Sequence, residues 1–257
     1  PLGFQWNSVD YSCPYDAVIP ILYQAWKFTT LPNRQLWLPY KINLNTIFEK
    51  LDQSVRSPER FRDMIRKKLH RDNPRAFPWG KEYAAVGDVL STILTSNAPF
   101  LTKSTTCPSC RTLLVRHAFT SHVNGTQERG DFDNYISIHS CERSVSNWID
   151  YFFSSIRSRC RQCLIHLLDE TYPDVNIHSF PPVLSIALLT THIKIDHIIK
   201  LRDNDDQSHR YTLQGIVYFA SSHFVSRIVD HNCDVWYNDG IVTKRKYVRE
   251  KALREFT

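Results

Sequence analysis

Apolar side chains recur at helical spacing over residues 14–28, with Val18, Ile19, Leu22 and Trp26 on one side. The pattern predicts a helix. Pro14 suits its first turn, where a missing N–H costs no hydrogen bond, whereas Pro20 predicts a kink or an early stop. Apolar and charged positions alternate over 45–72 (Ile47, Leu51, Val55, then Phe61, Met64, Ile65, Leu69) and predict two helices broken near Ser57-Pro58. Residues 83–96 predict another helix. From about residue 100 the texture changes. Residues 112–120 and 134–139 carry the β-branched and aromatic alternation of strands, with Asn124-Gly125 and Glu128-Arg129-Gly130-Asp131 marking turns between them. Residues 145–156 fit strand or helix. After Pro181-Pro182, strand signals cover 183–190, 211–220, 224–230 and 234–237, and Asp203-Asn204-Asp205-Asp206 reads as a solvated turn. Residues 244–255 read as a charged helix or a frayed end. Helices first and strands later imply the α+β class.

Composition narrows the function classes. A chain of 257 residues can bury a full core. Only 7 glycines are present, and neither a P-loop nor a dinucleotide fingerprint occurs. The net charge of +6 permits acidic partners without demanding nucleic acid. The basic stretch 59–71 and the basic tail read as solvated faces, so a nucleic-acid partner is disfavoured. No apolar run reaches the ~18 residues of a membrane span. Seven cysteines, no signal peptide and an odd remainder outside the CxxC pairs (Cys13, Cys141, Cys233) favour a reducing compartment, cytoplasmic or nuclear. The opening Pro1-Leu2-Gly3 reads as a tag-cleavage remnant.

Two CxxC pairs, Cys107–Cys110 and Cys160–Cys163, can together complete a tetrahedral Zn2+ site. With four sulfur ligands such a zinc is structural. Their 49-residue separation suggests two knuckles at the ends of long strands. A redox role for either pair is the weaker alternative, and His139 and Cys141 are substitute ligands of lower rank. Cys13 opens the predicted first helix, where the helix N-terminus favours a thiolate. His223 lies between two strand-like runs, where an imidazole can be held rigidly, and Asn238 or Asp239 can return to it from the next strand. Taken singly, a cysteine before a helix is more often small buried filler, and a histidine beside a strand is more often surface or core. The order Cys, zinc pairs, His, Asn/Asp is what gives them joint weight.

That order resembles the ubiquitin-specific proteases, a family of papain-like cysteine isopeptidases. The likeness rests on Gly3-Phe4, Asn7 and Cys13-Pro14-Tyr15-Asp16 for the cysteine box, and on Phe180-Pro181-Pro182-Val183 for the paired-proline segment. It rests further on Tyr211 through His223-Phe224 to Trp236-Tyr237-Asn238-Asp239 for the histidine box, with the CxxC pairs between. It spans residues 3 to about 242. The resemblance implies a papain-like fold with a helical thumb, a β-sheet palm and zinc-stabilised β fingers. It implies a single catalytic domain over 1–257, with thumb 1–100, fingers 101–170 and palm 171–257. The implied activity is cleavage after the C-terminal Gly-Gly of ubiquitin or a ubiquitin-like modifier by a monomer, the modifier being the partner.

By position Cys13 matches the nucleophile, His223 the base, Asn238 the orienting residue and Asp239 its support. Several positions depart from the family pattern. Ser8 stands where the oxyanion asparagine is usual, so the nearby Asn7 is assigned that role for its side-chain amide. Ser222 replaces the usual glycine before the base, Phe224 the usual tyrosine after it, and Leu189-Thr190-Thr191 a basic segment. The altered surroundings motivate one alternative, a catalytically inactive ubiquitin-binding module of the same fold.

Overall fold

The structure, a computed structural model, describes residues 1–53, 57–107, 109–125, 129–154, 158–159, 166–167, 174–188 and 192–253. In chain order the helices and strands are α1 (Cys13–Phe28), a 3-10 helix (Leu31–Trp37), α2 (Leu44–Gln53), α3 (Glu59–Asp72), α4 (Val86–Ile93), β1 (Leu101–Thr106), β2 (Leu113–Phe119) and β3 (His122–Asn124). They continue with α5 (Arg129–His139), α6 (Val145–Ser154), β4 (Ser158–Arg159), β5 (His166–Leu167), β6 (Asp174–Ile177), β7 (Ser185–Ala187), β8 (Ile198–Arg202) and β9 (Ser208–Thr212). The last are β10 (Gly215–Ala220), β11 (His223–Val229), β12 (Asp234–Asn238) and β13 (Val248–Ala252). The chain forms two compact units, one joining Pro1–Asn97 to Leu213–Thr257 and the other spanning Ala98–Thr212. The stretch expected as palm, 171–257, therefore divides between units at residue 212.

In the first unit α1 packs on β11 and against α3 and α4. Nearly every residue of α1 from Cys13 to Pro20 is buried. Burial of both faces explains why Pro20 does not end the helix: packing outweighs the one backbone hydrogen bond that proline removes. The break at Ser57-Pro58 occurs as the sequence predicts, and α3 starts immediately after it. Strands β10, β11, β12 and β13 form an antiparallel sheet in that order. β13 corrects the expectation of a charged helix or frayed end over 244–255. Its residues are mostly exposed but pair with β12, and Arg249 reaches Asp234 at 2.7 Å. Ladder hydrogen bonds across the sheet outweigh local helix propensity there. Leu2 and Gly3 belong to this unit too. Leu2 bridges Lys246, and Gly3 donates its N–H to the Arg245 carbonyl at 3.2 Å. A Cβ on Gly3 would meet Asn238 Nδ2 at 2.8 Å, so this glycine is packed closely against the loop after β12.

In the second unit β1 lies between β2 and β6 in an antiparallel sheet, β3 pairs in parallel with β7, and β8 forms a hairpin with β9. Its core gathers Phe100, Leu101, Val123, Phe132, Trp148, Ile149, Tyr151, Phe152 and Leu201. Residues 134–139, expected as a strand, are the second half of α5, and the ambiguous 145–156 segment is α6. Trp148, Ile149, Tyr151 and Phe152 face inward on α6 at helical spacing, a pattern that the three-residue aromatic run Tyr151-Phe152-Phe153 conceals. No helix among the described residues is long and apolar enough to cross a membrane.

Candidate active site

The first unit carries all five candidate residues: Asn7 on the segment before α1, Cys13 at the head of α1, His223 at the start of β11, and Asn238 and Asp239 at and just after the end of β12. Cys13 is the first residue of α1, fully buried, and the backbone N–H of Phe224 points at its thiol. The nucleophile candidate therefore sits against the start of β11, where His223 is the first residue. The two residues before the histidine, Ser221 and Ser222, form the β10–β11 turn with φ of 50° and 62°. Both lie in the left-handed region, which is the backbone of a type I′ hairpin turn. This turn aims the imidazole inward, and it explains the chemistry of the Ser222 position: glycine adopts that φ at no steric cost, whereas serine is strained.

Asp239 Oδ1 lies 3.4 Å from His223 Nε2. Nε2 is buried and makes no hydrogen bond, so the carboxylate is close without being aligned. Loose geometry of this kind is common when no substrate is bound. Trp6 packs its indole edge-on to the imidazole at 5.9 Å, with its own Nε1 buried and unpartnered. Asn238 is placed differently from expectation. It is the last residue of β12, and strand alternation turns its side chain inward. Its amide donates to Thr243 Oγ1 at 3.0 Å, the Lys244 carbonyl at 2.9 Å and the Lys246 carbonyl at 3.0 Å. Asn238 thus braces the loop after Asp239, and Asp239 is the residue that stands at the ring.

Asn7 is likewise engaged in its own turn. Its Oδ1 accepts the N–H of Val9 at 3.0 Å, and its Nδ2 donates to Asp10 Oδ2 at 3.1 Å. Ser12, which precedes α1, receives the Asn7 N–H at 2.8 Å on its hydroxyl and donates to Asp16 Oδ2 at 2.5 Å. Arg62 then closes the cluster with a 2.8 Å ion pair to Asp16, both side chains 3% exposed. These contacts were not visible as chemistry in the sequence. Arg62 and Arg66, read there as part of a solvated basic face, are buried at 2% and 1% exposure.

Burial favours the neutral forms of both Cys13 and His223. Burial pushes the Cys13 thiol up to about 11; Asp16 adds to the rise, while the Phe224 N–H and Arg66 oppose it. Burial lowers the His223 imidazole from its usual value, against the pull of Asp239. Burial also pushes the Asp16 carboxyl up to about 6, opposed by Arg62 and by the Ser12 hydroxyl. The Tyr11 and Tyr83 rings lie 4.7 Å apart, tilted by 30°.

Only half of the expected zinc set falls on described residues. Cys107 is buried, and its carbonyl accepts the N–H of Arg111 at 2.8 Å, with Arg111 at φ 61°. This reversal holds Cys107 and Cys110 on one tight turn, as a metal knuckle needs. Cys160 and Cys163 lie outside the described residues, between the paired strands β4 and β5. β2, which follows Cys110, neighbours β4, which precedes Cys160. Among the described residues no group of three or more potential ligands converges.

Comparison of the sequence with protein-family profiles and with curated proteins finds no match. Comparison with solved structures does. The SAGA DUB module of Ubp8 (a Cys-to-Ala form), Sgf11, Sus1 and Sgf73 bound to monoubiquitin matches with a TM-score of 0.55 at 11% identity, covering 100% of this chain and 66% of that one. The same module bound to ubiquitin aldehyde gives 0.55 at 11% identity over 100% and 67%. The yeast SAGA DUB module with an altered Sgf73 gives 0.52 at 12% identity over 100% and 66%. This chain thus spans about two thirds of the chains it matches. The likeness is one of fold: a mixed helix-and-sheet architecture similar to that of a ubiquitin-specific deubiquitinase.

Proposed function

We propose that the chain is a cysteine isopeptidase that cleaves after the C-terminal glycine of ubiquitin or a ubiquitin-like modifier. The observation that carries this reading is the placement of Cys13, at the head of α1, against the His223–Phe224 start of β11, with Asp239 Oδ1 3.4 Å from the imidazole Nε2. The fold similarity to a ubiquitin-bound deubiquitinase module supports the substrate class.

Burial favours the neutral thiol and the neutral imidazole, so in this reading the thiolate forms when substrate arrives. His223 takes the Cys13 proton, with Asp239 stabilising the resulting imidazolium. The sulfur attacks the terminal glycine carbonyl to form a tetrahedral oxyanion, stabilised by the Cys13 N–H and, after it turns from Asp10, by the Asn7 amide. Collapse breaks the C–N bond as His223 returns the proton to the leaving lysine amine. Water then adds to the thioester, giving up a proton to His223, and the thiol is regenerated as the carboxylate departs. Glycine selectivity follows from a channel that bulkier side chains cannot enter. Cys107, Cys110, Cys160 and Cys163 would hold a structural Zn2+ in the second unit, and a monomer acting in the cytoplasm or nucleus suits this chemistry.

The test is reaction with C-terminal electrophilic probes of ubiquitin and ubiquitin-like proteins. A covalent adduct with one modifier, absent in Cys13→Ala, is expected. The raised thiol pKa favours the second reading, a modifier-binding module without activity. Binding to ubiquitin with no adduct from any probe would establish that instead.

A further inference from the structure

We propose that one face of α3, formed by Glu59, Arg62 and Arg66, is the strut that positions the nucleophile turn and the Asp239 loop relative to each other. The three residues are spaced three and four apart, which stacks them along one side of a helix. Each holds a different part of the candidate site. Glu59 takes a two-pronged ion pair from Arg245, with both N–O distances 2.7 Å, and accepts the Gln5 N–H at 3.1 Å. Arg62 donates to the Gln5 carbonyl at 2.8 Å, to Asp16 at 2.8 Å and to Ser12 at 3.3 Å. Arg66 donates to the Asp10 carbonyl and lies over the rings of Tyr15 and Trp79 at 5.0 and 4.6 Å. Gln5, Asp10, Ser12 and Asp16 bracket Asn7 and Cys13; Arg245 lies in the loop that Asn238 braces behind Asp239.

Stability alone does not account for this face. Buried ion pairs seldom outperform apolar packing of the same volume. Arg66 is worse placed still, because its Nε and Nη1 are buried with no hydrogen-bond partner. Ile65 and Leu69 on the same helix show that an apolar side chain fits this interface. What buried charges supply is direction. Two-pronged and multi-acceptor contacts fix angles as well as distances, and a misplacement of about 1 Å at a reacting group can cost about a hundredfold in rate.

The positional part of this proposal stands by itself, and the catalytic part rests on the isopeptidase reading. The test therefore has arms of both kinds, using Glu59→Gln, Arg66→Met, Arg66→Lys and, as a control on the outer face, Lys67→Gln. Hydrogen exchange of amides 5–12 and 239–246 is expected to speed up in Glu59→Gln while the α1 core keeps its protection. Alkylation of Cys13 by iodoacetamide, followed by mass spectrometry, is expected to change in rate in Arg66→Met, which releases the Asp10 carbonyl next to the nucleophile turn, and to be restored in part by Arg66→Lys. On a fluorogenic ubiquitin C-terminal amide, Glu59→Gln is expected to lower kcat about tenfold with KM unchanged. Unchanged exchange and alkylation in folded variants would overturn the proposal. Changed exchange and alkylation, with no turnover of any modifier by the unaltered protein, would leave the strut in place and remove the isopeptidase reading.

Discussion

At the level of single residues the site separates two neighbours that look interchangeable in sequence. Asn238 and Asp239 both offer an oxygen to an imidazole, but a strand end gives adjacent side chains opposite directions. Asn238 goes inward to three acceptors and Asp239 goes to the ring. Asp239→Asn is expected to keep the melting temperature and to lower kcat at least about tenfold, because a neutral amide stabilises imidazolium poorly. Asn238→Ala is expected to cost about 2–3 kcal/mol, since it removes three hydrogen bonds of about 1 kcal/mol each from a buried side chain, and to affect turnover only through unfolding. Thermal melts beside steady-state kinetics decide this; the opposite pattern would return the orienting role to Asn238. Ser222 illustrates the same scale. A glycine suits its φ of 62°, and the serine found there carries strain next to the base.

At the level of elements, α1 and α3 depend on each other through charge. Asp16 sits in the first turn of α1, where a carboxylate complements the helix dipole, and its burial is tolerable only with Arg62 in contact. Arg62→Met is expected to destabilise by about 3–5 kcal/mol by leaving that carboxylate unpaired, and adding Asp16→Leu is expected to recover much of the loss. Denaturant midpoints of the two singles and the double measure it. A single-variant loss below about 1 kcal/mol would mean that the pair is hydrated in solution. In the sequence, the helix over 59–72 was legible from Ile65 and Leu69. The buried arginines were not, because a basic helix reads the same whichever face meets the protein, and Arg62 and Arg66 follow the 3.6-residue period as well as Lys67 and Arg71 do.

For the whole molecule, the predictions concern pH and metal. The His223 pKa is lowered in the folded state, so the unfolded chain binds the proton more readily. The stability this histidine contributes is complete above its unfolded pKa of about 6.5 and is lost as pH falls through the lowered folded value. Asp16, raised to about 6, acts in the opposite sense: its contribution is present below its unfolded value and lost as pH rises. Comparison with a variant isolates the histidine. Unfolding free energy is expected to drop more between about pH 7.5 and 5.5 in the unaltered protein than in His223→Asn. Equal slopes by urea denaturation would mean that the imidazole is solvated. Metal removal addresses the second unit. Chelation, or Cys107→Ser, is expected to loosen β1 and β2 by hydrogen exchange while Cys13 keeps its alkylation rate. Metal analysis showing no zinc would dismiss the four-cysteine site.

The sequence alone was enough for elements whose signal is local: the helices over α1, α2 and α3, the break at Ser57-Pro58, and the strands β10, β11 and β12. Periodicity, proline and the order of chemical groups are properties of the chain itself. Tertiary structure decided the rest. β13 is a strand because β12 offers it hydrogen-bond partners. Pro20 stays within a helix because packing surrounds it. Asp239 takes the place at the ring because β12 ends one residue before it. Arg62 and Arg66 are buried because α3 turns that face toward residues 5–16, and no local pattern of charge records which side of a helix the fold will cover.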